Sequence, residues 1–119
     1  MIIGKAMKIR FVSHASIIVE INDICIISDP WLSGSIFYDG WSLLSKAHKV
    51  DWSKITHIWI SHEHPDHFHV PSLKSIPEEF KSKITVMYQN TIDKKVVNWF
   101  KNNNFIVLEL PRLKKIELA

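Results

Sequence analysis

Between Ser61 and His69 the chain reads Ser-His-Glu-His-Pro-Asp-His-Phe-His, with four histidines and two acids in nine positions. Neutral imidazole and carboxylate are the usual protein ligands of zinc, iron and manganese. Spacing adds to composition. In extended chain, residues two apart project to one side, so His62 and His64 can approach one metal together. Pro65 biases His64 away from helical geometry and keeps that segment extended. A turn after it lets Asp66 and His67 address a second position beside the first. Two metals about 3.5–4 Å apart can share a hydroxide and clamp an in-line displacement. The competing reading is a solvated loop that happens to be rich in histidine. Clustering around one Asp, directly after an apolar segment, favours the metal.

The elements that must carry this run can be read from periodicity and turn chemistry. Lys8 to Val12, Ser16 to Ile21 and Ile24 to Ser28 are strand segments, the last two joined by the turn formers Asn22-Asp23. Asp29-Pro30 ends the third. Trp31 to Lys49 is a long loop, and its aromatic residues Phe37, Tyr38 and Trp41 favour an ordered one. After a capped turn at Asp51-Trp52-Ser53-Lys54, Ile55 to Ser61 forms a buried strand. The histidine run begins at its C-terminal edge, a rigid base opening to a crevice. Val70 to Ile76 is a short helix, with Pro71 tolerated in its first turn. Ile84 to Tyr88 is a strand. Thr91 is expected to cap a three-turn helix that buries Ile92, Val96, Val97 and Phe100, with Asn102-Asn103-Asn104 as its stop. Phe105 to Leu110 is a strand, and Lys114 to Leu118 a last one. The order is a hairpin, a loop, then β-α-β-α-β, the second half resembling parallel crossover units.

Composition bounds the function classes. The chain has 119 residues, 46% of them hydrophobic and 23% charged, which describes one globular unit over residues 1–119 rather than a disordered segment. Its net charge of +3 is spread over the second half without a basic, aromatic-interleaved stripe, so no nucleic-acid partner is expected. No apolar run is long enough to span a bilayer, and no signal peptide is read at the N-terminus. The lone Cys25 lies in an apolar run and is expected to be a buried thiol, which fits a reducing, cytoplasmic setting. Five Trp and six Phe are a heavy apolar load for this length and must be buried here or against something else.

The pattern His62-x-His64-x-Asp66-His67 after a hydrophobic strand resembles the signature of the metallo-β-lactamase superfamily. Val12-Ser13-His14-Ala15-Ser16 resembles the Gly-His-Ala-Thr/Ser start of its UlaG-like branch, which includes lactonases and phosphodiesterases. Ile27-Ser28-Asp29-Pro30-Trp31 resembles that branch's Thr-Asp-Pro segment. Phe37-Tyr38-Asp39-Gly40-Trp41 is a short match to CMP-N-acetylneuraminate hydroxylase-like proteins.

The resemblance implies an α/β (α+β) fold: the N-terminal half of an αβ/βα sandwich, a mixed sheet with flanking helices. It implies that His62 and His64 bind metal 1 and that Asp66 and His67 bind metal 2. Asp66 is also the candidate catalytic residue, orienting or deprotonating the bridging water. Asp29 is placed behind the ligands and His14 near the pocket, touching substrate. His69 reads as a loop or helix-start residue, His57 as a hydrogen-bonded core residue, and Glu63 as pointing away from the metals. The cofactor would be a divalent metal, Zn or Mn, with Fe as a further option.

Relatives add further His and Asp ligands from downstream segments. Here no histidine follows His69, so the site is incomplete in this chain. The implied activity is hydrolysis of a small-molecule ester, lactone or phosphodiester, sugar- or nucleotide-linked, by metal-bound hydroxide, with this chain alone inactive. The alternative is a truncated, non-enzymatic module that binds metal or self-associates. An oxygenase role needs an electron-donating Rieske centre, which one Cys cannot build. Half a sandwich leaves the inner face of its sheet wet, and each 100 Å² forgoes about 2.5 kcal/mol of burial. A homo-oligomer or a complementary chain is therefore expected.

Overall fold

The computed structural model describes residues 6–36, 41–43, 46–111 and 118. Its centre is a six-stranded sheet in which an antiparallel meander runs into a parallel half. The meander is β1 (Lys8–Ser13), β2 (Ser16–Ile21) and β3 (Ile24–Ser28). Asn22 takes a positive φ of 53° in the β2–β3 turn, a conformation Asn tolerates better than most residues, so Ile21 pairs directly with Ile24. The long loop that follows contains a small ladder of β4 (Ser35–Ile36) and β5 (Trp41–Ser42). Phe37, Tyr38 and the strand expected at Lys114 to Leu118 lie largely or wholly outside the described residues.

The chain re-enters the sheet as β6 (His57–Trp59), parallel to β3, then β7 (Thr85–Gln89) and β8 (Ile106–Leu110), giving the order β1-β2-β3-β6-β7-β8. The crossovers are helical: α1 (Val70–Lys74) and α2 (Glu78–Lys81) before β7, and α3 (Lys95–Asn102) before β8. Parallel strands need such connections, which lay the helices on one face. That face holds the core. Ile27, Ile58, Ile60 and Val86 from the strands are fully buried against Leu73 of α1 and Val96, Val97 and Phe100 of α3. Cys25 belongs to the same cluster, and burial pushes its thiol pKa up, as for an inert structural thiol.

The N-terminal boundary of α3 differs from the sequence expectation. Thr91 does not cap it. Its hydroxyl donates to the Asp93 carbonyl, while the Asp93 carboxylate accepts the Lys95 backbone N–H at 2.8 Å. This local Asx geometry competes with helix in the segment 91–94, so the helix begins at Lys95 and Ile92 is fully exposed rather than buried. Val96, Val97 and Phe100 keep the buried face that periodicity assigns them. Helix α2 has no counterpart in the sequence reading. It is one turn long, below what apolar periodicity can register.

The opposite face of the sheet is apolar too. Cross-strand pairs Phe11–Ile17, Ile9–Val19, Val19–Ile26 and Trp59–Met87 lie on it. An open hollow of about 390 Å³ lies over Ile17, Val19, Ile26, Ser28, Trp59 and Met87. Ile9, Phe11 and Ile106 around it are exposed. The strands therefore carry apolar residues on both faces, as strands of a two-layered sandwich do.

Candidate metal centre

Three segments converge at the C-terminal ends of β3 and β6. The first is Asp29, just past β3. Its backbone N–H donates to Trp59 O at 2.8 Å, and its φ of 37° turns the chain so that the carboxylate points across to β6. Asp29 is 5% exposed, and its carboxylate accepts three hydrogen bonds. The Ser61 backbone N–H reaches Oδ1 at 2.7 Å; the Ser61 hydroxyl and His67 Nδ1 reach Oδ2 at 2.7 and 2.8 Å.

These bonds assign tautomers. An ionised carboxylate only accepts, so His67 carries its proton on Nδ1 and presents a bare Nε2. The Ser61 hydroxyl spends its proton on Asp29, so its oxygen accepts from His62 Nδ1 at 2.8 Å, and His62 likewise presents Nε2. A carboxylate behind an imidazole is the usual way to orient a metal-binding histidine.

The second segment is the turn after β6. The backbone N–H groups of His67 and Phe68 both donate to His64 O, at 2.9 and 2.7 Å, folding the histidine run back on itself. The rings of His62 and His67 then lie 4.0 Å apart between centroids, and those of His62 and His64 4.7 Å apart. Phe68 anchors the turn in the core against Trp99 and Phe100, with ring centroids 5.5 Å away in each case. His69 is buried as the N-cap of α1, accepting from the Ser72 N–H at 3.3 Å; burial lowers its pKa, which suits a neutral acceptor.

The third segment is the β1–β2 turn. His14, at φ 44°, brings Nε2 to 3.0 Å from Asp66 Oδ2, and His67 Nε2 lies 3.3 Å from the same oxygen. The ligand atoms of His14, Asp66 and His67 all fall within 4.8 Å of one another. Burial raises the Asp66 pKa, but the hydrogen bond from His14 and the neighbouring His67 imidazole outweigh it, and the net shift is downward, so the carboxylate stays ionised. The edge of the His14 ring meets Trp31, which is buried and donates from Nε1 to Gly34 O at 3.1 Å.

The structure thus gathers His62, His64, Asp66 and His67 at one edge of the sheet, with Asp29 behind them. His14 touches Asp66 directly. His62 and His64 pack ring against ring, and both lie outside the three-donor group of His14, Asp66 and His67. Glu63 and His62 both line a cleft of about 220 Å³ shared with Tyr88, Asp93 and Lys95. Ser61, which links Asp29 to both His62 and His67, carries no sequence signal beyond its place beside the run. The ligand atoms of His14, Asp66 and His67, with a bare Nε2 on His67 and an ionised carboxylate on Asp66, are a donor set that fits a divalent cation of the zinc, manganese or iron type.

A mixed sheet with helices on one face, and a His-rich cluster at the C-terminal ends of its strands, define an α/β domain with a candidate metal centre. Residues 8–112 match the Beta-lactamase superfamily domain, and the chain belongs to that family. Among curated relatives, it is 34% identical over 76 residues to the cytidine monophosphate-N-acetylneuraminic acid hydroxylase of Asterias rubens, covering 60% of this chain and 12% of that one. It is 33% identical over 100 residues to the Sus scrofa protein of the same name, covering 81% and 22%. Among solved structures, a "possible metal-dependent hydrolase" from Veillonella parvula superposes with a TM-score of 0.65 at 21% identity, covering 95% of this chain and 45% of that chain. CmlA, a diiron β-hydroxylase from Streptomyces venezuelae, gives 0.64 at 17%, covering 98% and 23%. The chain therefore spans less than half the length of each of these proteins. Among the described residues, no helix is long and apolar enough to cross a membrane.

Proposed function

We propose that this chain supplies the metal-binding half of a metal-dependent hydrolase of the UlaG-like kind, acting on a small ester, lactone or phosphodiester. The observation that carries this reading is the placement of His67 Nε2 3.3 Å from Asp66 Oδ2 with the His62 ring 4.0 Å from that of His67, both imidazoles held in the tautomer that presents Nε2. His62 and His64 would hold one divalent cation, and Asp66 and His67 a second, as Zn or Mn. When bound, such ions polarise the scissile group and lower the pKa of a coordinated water. Asp66 would orient the attacking water and Asp29 would keep His67 in register. The cleft beside Glu63, Tyr88 and Lys95 offers room for the rest of the substrate.

Metal titration of the purified chain tests this. Zinc or manganese should bind, and His62→Ala should lower the affinity or the number of ions held. Equal and negligible binding by both proteins sinks the reading. A second reading, iron-dependent oxygenation, is favoured by the relatives named as hydroxylases. Aerobic loading with equimolar iron and zinc separates the two, since retention of a coupled iron pair over zinc supports oxygenation.

The apolar face around Trp59 needs cover, and for the isolated chain we propose a second copy of itself. The hollow is lined by Ile17, Val19, Ile26 and Met87 with Ser28 as its one hydroxyl, so contact there is driven by burial. Light scattering should give a dimer or larger species that dissociates in Trp59→Lys. A stable monomer across the micromolar range argues against an uncovered apolar face.

A further inference from the structure

We propose that His14 is itself a metal ligand, completing with Asp66 and His67 a three-donor site carried wholly by this chain. The inference shares with the proposed function only the premise that Asp66 and His67 hold a cation.

The geometry is that of donors around one focus. Two ligand atoms about 2.0–2.2 Å from a common ion, at angles between octahedral and tetrahedral, stand about 3.0–3.4 Å apart. His14 Nε2 and Asp66 Oδ2 are separated by 3.0 Å, and His67 Nε2 and Asp66 Oδ2 by 3.3 Å. Each pair falls in that window, and the third separation stays below 4.8 Å. His14 is also held there. The ring packs edge-on against buried Trp31, with centroids 5.1 Å apart, and against His67 at 5.8 Å. Its backbone adopts φ 44°, an uncommon conformation for a residue other than glycine and one that recurs at functional sites.

The chemistry follows from the donor count. The motif alone gives each of two ions only two protein ligands. With His14, the position at Asp66 and His67 has three, the number typical of a catalytic zinc site that keeps one place open. The ion would also tie the β1–β2 turn to the loop after β6, segments 52 residues apart in sequence. Metal binding should then raise the melting temperature of the isolated chain.

His14 has one competing role, that of a hydrogen-bond donor which merely positions Asp66. His14→Gln separates the two, because the Gln amide still donates to a carboxylate but is no match for imidazole as a ligand. If His14 ligates, His14→Gln and His14→Ala both lose zinc affinity by about 100-fold or more, beyond the roughly 10–100-fold of a supporting residue. In the ¹⁵N-histidine-labelled protein loaded with ¹¹³Cd, His14 Nε2 should show scalar coupling to the metal, a readout independent of activity and of any loss of fold in a variant. Near wild-type affinity in His14→Gln, with no coupling at His14 while His67 is coupled, overturns the proposal and leaves the proposed function standing. Failure of the wild-type chain to bind zinc or cadmium overturns both.

Discussion

Asp29→Ala should remove about 3–5 kcal/mol of stability, the usual result of breaking a buried charged network, and abolish tight metal binding with it. The carboxylate accepts from the Ser61 backbone, the Ser61 hydroxyl and His67 Nδ1. Alanine leaves all three donors without their acceptor beneath the sheet edge, and places a Cβ-bearing residue at φ 37° without the local polar compensation that Asp has there. Asp29→Asn is the sharper probe. Its amide oxygen can still serve the Ser61 N–H, and Asn tolerates positive φ. Its NH₂, however, now faces His67 Nδ1. The imidazole must accept there and move its proton to Nε2, the atom meant for metal. Stability should fall less than in Asp29→Ala, while metal affinity drops about 10–100-fold. Denaturant midpoints and zinc competition titrations measure the two effects separately. Equal metal affinity in Asp29→Asn and wild type would show that His67 does not bind through Nε2.

Phe100→Ala should cost about 3–5 kcal/mol, a large share of the stability of a domain this size. Phe100 is fully buried and sits within 5.5 Å, centroid to centroid, of Phe68, Trp99 and Phe105. Through Phe68 it backs the turn that carries Asp66 and His67. The cavity should therefore loosen the metal loop as well as the core. Phe100→Leu keeps most of the volume and should cost less than half as much. Urea unfolding of the three proteins, with and without zinc, reads this out. If Phe100→Ala unfolds at the wild-type midpoint, α3 does not support the site as the packing requires.

Part of this protein was legible in its residue order. The Asn22-Asp23 turn fixes the β2–β3 register locally, because few residues accept the φ the turn demands. The spacing of Val96, Val97 and Phe100 marks the buried face of α3. The run from His62 to His67 has the residue types and spacing of metal ligands, and Pro65 keeps it out of helix. Other local signals competed on nearly equal terms. Thr91 looks like a helix cap, yet Asp93 captures the Lys95 N–H and moves the start by a turn. Asp29 could not be told from an ordinary turn residue before proline without the family resemblance, since its partners Ser61 and His67 are more than thirty residues away.

What only the tertiary structure decided is which distant segments share a point in space. The parallel pairing of β3 with β6 sets Asp29 beside Ser61, and the meander sets the β1–β2 turn over the histidine loop. That placement turns His14 from an isolated histidine into a neighbour of Asp66. The family resemblance implied a sheet face left wet, but only the assembled sheet separates the face closed by α1 and α3 from the one left open around Trp59. Turn preference, proline geometry and donor spacing act over a few bonds and are written in the order of residues. Strand pairing depends on summed contacts between segments far apart in the chain, and the chemistry of His14 and Asp29 exists only once those contacts have formed.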